Sequence, residues 1–102
     1  VRSSAASDVY KRQVLGLVAV AAGFALGISR VDWLAIVLCI IVVSVAEVVN
    51  TAIESAVDLA SPEWHELARA AKDAAAGAVL LASAGSVIVG FIVFAPYVLD
   101  LI

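Results

Sequence analysis

The sequence is poor in most of what a soluble domain uses to face water. Only 15% of its 102 residues are charged, against about a quarter in an ordinary soluble domain. It has one cysteine, Cys39, set inside an apolar run. That excludes a disulfide framework and a metal-thiolate cluster, and leaves Cys39 as a small buried-type hydrophobe. The six Lys and Arg residues form no cluster and the net charge is -3, so nothing is available to neutralise a nucleic-acid backbone. No Gly-rich phosphate loop of the familiar kind is present. Any nucleotide site must therefore be built in another way.

What fills the chain instead is oil. Hydrophobic residues make up 65% of it and the mean hydropathy is +1.14, values that predict an all-α membrane protein. The apolar runs predict a helical bundle with three spans, at about 14–29, 33–57 and 74–99, and a short cytoplasmic helical segment before the last. Residues 1–13 are small and polar without periodicity; they are read as a non-native or truncated N-terminal tail, leaving 14–102 as a single membrane-embedded unit.

The first span holds Gly16, Gly23 and Gly27 on one stripe, and Gly23 with Gly27 makes a small-x-x-x-small pair expected to allow close helix contact. Ser29 to Asp32 reads as a polar turn, and Trp33 as an interfacial start to the second span. Ala60-Ser61-Pro62-Glu63 reads as a helix break and restart, with Ser61 as N-cap, Pro62 at the first helical position and acids in the first turn. Pro96 and Tyr97 mark the outer interface. Lys11, Arg12, Arg69 and Lys72 fall on one side of this arrangement and Arg30 on the other, which places the N-terminus and the 58–73 segment in the cytoplasm.

Six of the nine acids lie between positions 47 and 73, and the second helix carries the most informative of them. Glu47, Asn50, Glu54 and Asp58 are spaced 3, 4 and 4 residues apart. At about 100° per residue they fall at relative angles of roughly 0°, 300°, 340° and 20°, one face of the helix. Acids on a membrane helix cost roughly 2.5 to 3.5 kcal/mol at its centre, so they point to function unless they form a solvated helix end. Glu47 lies about 21 Å along from Trp33, near the headgroup boundary, whereas Glu54 and Asp58 lie about 10 and 16 Å beyond it, in water. A carboxylate at the boundary suits a general base towards a lipid hydroxyl. One standing in water, Glu54, suits Mg²⁺, which is held by one or two carboxylates together with substrate phosphates. Asn50 can orient either, and Lys72 is a candidate phosphate-binding cation.

Two runs carry a resemblance: Glu47-x-x-Asn50-Thr51-Ala52-Ile53-Glu54-x-x-x-Asp58, and His65-x-x-x-Arg69-Ala70-Ala71-Lys72-Asp73 followed by Ala75-Ala76-Gly77-Ala78-Val79-Leu80. Together they resemble the prokaryotic diacylglycerol kinase family of small integral-membrane lipid kinases, over about residues 13–97. The form Asn-Thr-Ala-Ile-Glu with Lys-Asp-Ala-Ala-Ala-Gly-Ala-Val is more similar to the undecaprenol kinase branch. The resemblance implies a homotrimer in the bacterial inner membrane, with shared sites at the cytoplasmic face that transfer the γ-phosphoryl of ATP to a lipid alcohol. It implies Glu47 as catalytic base and Glu54 as a Mg²⁺ ligand. Asn50 and Asp58 would support nucleotide and metal, Lys72 and Asp73 would hold ATP, and Glu63 and His65 match a further nucleotide-contacting stretch. The family also carries a second metal-binding glutamate on a surface helix before the first span. Residues 1–13 hold no counterpart, so one metal ligand is expected to be missing. Undecaprenol is the expected substrate, with diacylglycerol as the alternative. A small oligomeric proton-coupled transporter using Glu47, or a non-catalytic assembly protein packing through glycines and alanines, are the readings from other classes. Neither has any need of Asn50, Glu54, Lys72 and Asp73 at one face.

Overall fold

A computed structural model describes the backbone of residues 2–102 and the side chains from Tyr10 onward. Three helices follow one another: α1, Arg2–Leu26; α2, Arg30–Ala60; and α3, Glu66–Leu101. Strands are absent among the described residues, so the all-α expectation holds. The molecule is a rod, 55 × 22 × 21 Å, whose length is that of the 36-residue α3 at about 1.5 Å per residue.

Helices α2 and α3 are each long and apolar enough to cross a membrane. They form an antiparallel hairpin that makes most of the packing, and α1 meets α2 more sparsely. Ile28, Ile36 and Val93 form the buried cluster at the end of the hairpin beside the α1–α2 turn, with Trp33, Phe94 and Tyr97 packed around it. Ala75 and Val79 are buried in the N-terminal half of α3. Most large apolar side chains elsewhere face outward, among them Phe24, Leu80, Leu81, Phe91 and Ile92. Such a surface is unfavourable in water and suited to hydrocarbon or neighbouring helices.

The turn between α1 and α2 differs from the expected polar loop. Gly27 adopts φ +63°, the left-handed conformation that ends helices, and the Ile28 amide donates back to the Gly23 carbonyl at 3.2 Å, closing a Schellman cap. Ser29 then caps α2 by accepting the Asp32 amide at 3.2 Å. Arg30 to Asp32 are thus the first turn of α2 rather than a connection, because Ser29 is a better N-cap than Trp33 is a start. The small-residue pair is also divided. A Cβ on Gly23 would lie 2.7 Å from the Trp33 ring, whereas nothing lies within 4 Å of Gly27. Gly23 allows a close approach and Gly27 supplies a turn.

The restart before α3 is corrected as well. Ser61 is the C-cap of α2, its amide donating to the Val57 carbonyl at 2.8 Å, and its hydroxyl donates to the Glu63 carbonyl at 3.0 Å. The N-cap of α3 is His65, whose Nδ1 accepts the Leu67 amide at 3.1 Å. Pro62 biases Ser61 away from helical backbone, and residues 61–65 turn the chain without entering a helix. Beyond Glu66 the charged turns and the apolar span are one continuous helix, so the cytoplasmic segment is the end of α3 and not a separate piece.

The backbone is helical from Arg2, well before the expected start of the first apolar segment at Val14. The expectation of a non-native or truncated tail over 1–13 falls in part on residues 1–9, whose side chains lie outside the described set.

Candidate functional site

The polar face of α2 is divided by depth of burial. Glu47 keeps only 14% of its side chain exposed and Asn50 is half-buried, whereas Glu54 and Asp58 are exposed. The cause is periodicity: Val43, Ala46, Glu47, Asn50, Ile53 and Val57 recur at helical spacing and are all partly covered, so Glu47 and Asn50 share the packed stripe with apolar neighbours. Glu54 and Asp58 fall on its margin, nearer the C-terminus of α2.

Asn50 Nδ2 donates to Glu54 Oε1 at 3.3 Å. That bond leaves the Asn50 Oδ1, a buried atom, without a hydrogen-bond partner. An unpartnered amide oxygen one helical turn from a carboxylate is a pair of hard oxygen donors, the ligand type Mg²⁺ takes. No group of three or more acidic, His or Cys side chains gathers for a metal among the described residues. The donor set thus fits an ion that completes its shell with phosphate oxygens and water. Thr51 Oγ1 donates to the Glu47 backbone carbonyl at 3.0 Å, which fixes the threonine against its own helix.

Among the described residues Glu47 has one charged partner, and it comes from α1: Arg12 Nη1 stands 3.5 Å from Glu47 Oε1. This contact was not anticipated, although the numbering contains the signal. Arg12 lies 17 residues before Ser29 and Glu47 lies 18 after it (29 − 12 and 47 − 29), so two antiparallel helices joined at Ser29 bring them level.

The second group of residues surrounds the turn between α2 and α3. Asp58, Glu63, His65, Lys72 and Asp73 all line an open cleft of about 450 Å³ there. Lys72 Nζ on α3 donates to Asp58 Oδ1 on α2. The two stand seven residues either side of His65 (65 − 58 and 72 − 65), as an antiparallel hairpin requires. Asp73, expected beside Lys72, points to Arg69 instead, with Nε to Oδ2 at 3.8 Å within one helix. The two are adjacent in sequence, about 100° apart on the helix, and so reach different partners. Trp64 stands exposed at the cleft. The arrangement is a basic and acidic cleft at the end of the hairpin, with Glu54 one turn inward from Asp58 and Glu47 about 10 Å inward from Glu54.

Comparison with known proteins agrees with this distribution. The family described as prokaryotic diacylglycerol kinase matches residues 5–94. The chain is 46% identical over 74 residues to a protein of Bacillus subtilis (strain 168) named undecaprenol kinase, covering 72% of this chain and 60% of that one. It is 49% identical over 69 residues to a protein of Synechocystis named diacylglycerol kinase, covering 67% of this chain and 38% of the other. In both cases the chain spans less than two thirds of the relative's length. No solved structure matches it. With the family match running through all three helices and both polar groups, the chain belongs to the prokaryotic diacylglycerol kinase family.

Proposed function

We propose that the chain is a lipid kinase of the bacterial inner membrane, transferring the γ-phosphoryl group of ATP to a membrane lipid alcohol, with undecaprenol as the preferred acceptor and diacylglycerol as the alternative. One observation carries the reading. A single helix carries a largely buried carboxylate, Glu47, and about 10 Å further along an exposed one, Glu54, one turn from a polar cleft. Such a helix can bring an oily alcohol and a charged nucleotide together.

In this mechanism Glu47 accepts the proton of the lipid hydroxyl as its oxygen attacks the γ-phosphorus; the new P–O bond forms as the bond to the β-phosphate oxygen breaks, and ADP leaves. General-base assistance of this kind contributes about 10² to 10⁴ in rate. Glu54 and Asn50 would hold Mg²⁺, which when bound offsets phosphate charge. Lys72 faces the phosphates. Asp73, Glu63 and His65 line the nucleotide cleft, and Asp58 borders it on the α2 side.

The apolar part of α1 completes a third span, and three copies assemble with sites shared between neighbours. The support is physical: α1 is sparsely packed in the single chain, large apolar side chains face outward on every helix, and the cleft is open on one side. Residues 14–102 form the membrane-embedded kinase unit. Both named relatives being kinases supports this reading over a proton-coupled transporter.

The test is transfer of labelled phosphate from Mg-ATP to undecaprenol, diacylglycerol and other long-chain alcohols in reconstituted vesicles. Undecaprenyl phosphate should form fastest. Absence of a labelled lipid with every acceptor would refute the proposal.

A further inference from the structure

Resting on the kinase reading, we infer that Asp58 is a positioning residue: it aims the Lys72 ammonium across the nucleotide cleft and does not itself bind metal or nucleotide. The two side chains join α2 to α3 over the turn at 61–65. They are the hairpin's one charged cross-link at the cytoplasmic end among the described residues. Lys72 is 40% exposed and Asp58 64%. An ion pair this exposed adds little to stability, so its consequence is geometric.

Lysine is a long flexible cation, and fixing it when a ligand binds costs affinity. Asp58 fixes it beforehand. An ammonium has three donors; Asp58 occupies one and leaves two for phosphate oxygens. Asp73 does not take that part: it sits about 100° around the helix from Lys72 and pairs with Arg69. Glu54 is a full turn inward on α2 and bonds Asn50. Of the acids whose polar contacts the structure shows, Asp58 alone touches Lys72.

Mg-ATP affinity and the KM and kcat for transfer, measured on wild type, Asp58→Asn, Asp58→Glu, Lys72→Met and the double variant Asp58→Asn/Lys72→Met, test the assignment. Asp58→Asn should weaken Mg-ATP binding and raise its KM by roughly two- to tenfold, the range for ordering one long side chain, with a smaller change in kcat. Asp58→Glu should recover most of the loss. The double variant should bind no worse than Lys72→Met alone, since Asp58 acts only through the lysine. Unchanged or tighter binding by Asp58→Asn would overturn the proposal, as would an additive loss in the double variant, which would mean that Asp58 touches metal or nucleotide directly. Loss of helical circular dichroism by Asp58→Asn would also count against it, because an exposed pair that only aims a side chain is too weak to hold the fold. A wild-type chain that neither binds Mg-ATP nor transfers phosphate would instead defeat the kinase reading, and this inference with it.

Discussion

Tyr97 on α3 donates a 2.5 Å hydrogen bond to Asp32 Oδ2 on α2, and the same hydroxyl accepts the Ser29 amide at 3.0 Å. One phenol thus ties the C-terminal end of α3 to the N-cap of α2, at the opposite end of the hairpin from the Asp58–Lys72 pair. Asp32 lies 33 residues before His65 and Tyr97 lies 32 after it (65 − 32 and 97 − 65), within one residue of the register set by Asp58 and Lys72. Removing the hydroxyl by Tyr97→Phe breaks both bonds, one exposed and one part-buried, at a cost of about 0.5 to 1.5 kcal/mol for each. Thermal unfolding in detergent should show the loss, while turnover per folded molecule stays at the wild-type value, since the bond lies at the far end from the proposed chemistry.

The α1–α2 turn separates two roles of glycine. Gly23→Leu must displace the Trp33 ring, which already packs against Phe24 with centroids 4.8 Å apart and planes tilted at 56°; overpacking of this kind costs about 1 to 3 kcal/mol. Gly27→Ala has open space but the wrong backbone, at about 1 kcal/mol. Tryptophan emission distinguishes them: it should shift in the Gly23 variant and remain unchanged in the Gly27 variant.

Glu54→Gln removes the charged member of the Glu54–Asn50 oxygen pair. The Mg²⁺ concentration for half-maximal phosphate transfer should rise at least about tenfold, since even residues behind a metal ligand are commonly worth that much. A titration with Mg²⁺ at saturating ATP measures it, and an unchanged midpoint would remove Glu54 from the metal site.

Much of this organisation was legible in the sequence, and what escaped has common causes. Hydropathy marks α2 and α3 because lipid demands long apolar helices, and the spacing of Glu47, Asn50, Glu54 and Asp58 marks their common face because helical periodicity is local. The family resemblance rests on the same residues and is borne out by the match over 5–94. Caps were harder to read. Ser61 and His65 both offer an acceptor, and the choice depended on how Pro62 directs the chain. Cross-helix partners leave no local signal: Lys72 meets Asp58 fourteen residues away, and Arg12 meets Glu47 on another helix. Both are explained once the hairpin register is known, because a register converts distance along the chain into proximity in space.

The central claim is that Glu47 acts on the lipid and the cytoplasmic cleft acts on the nucleotide. The most direct measurement is Glu47→Gln, assayed for Mg-ATP affinity and for phosphate transfer to undecaprenol in the same vesicles. Transfer should fall by about 10² to 10⁴ with Mg-ATP affinity within about twofold of wild type, since Glu47 lies roughly 10 Å from Glu54 along α2. Transfer at the wild-type rate, or a loss of nucleotide affinity as large as the loss of transfer, would contradict the account.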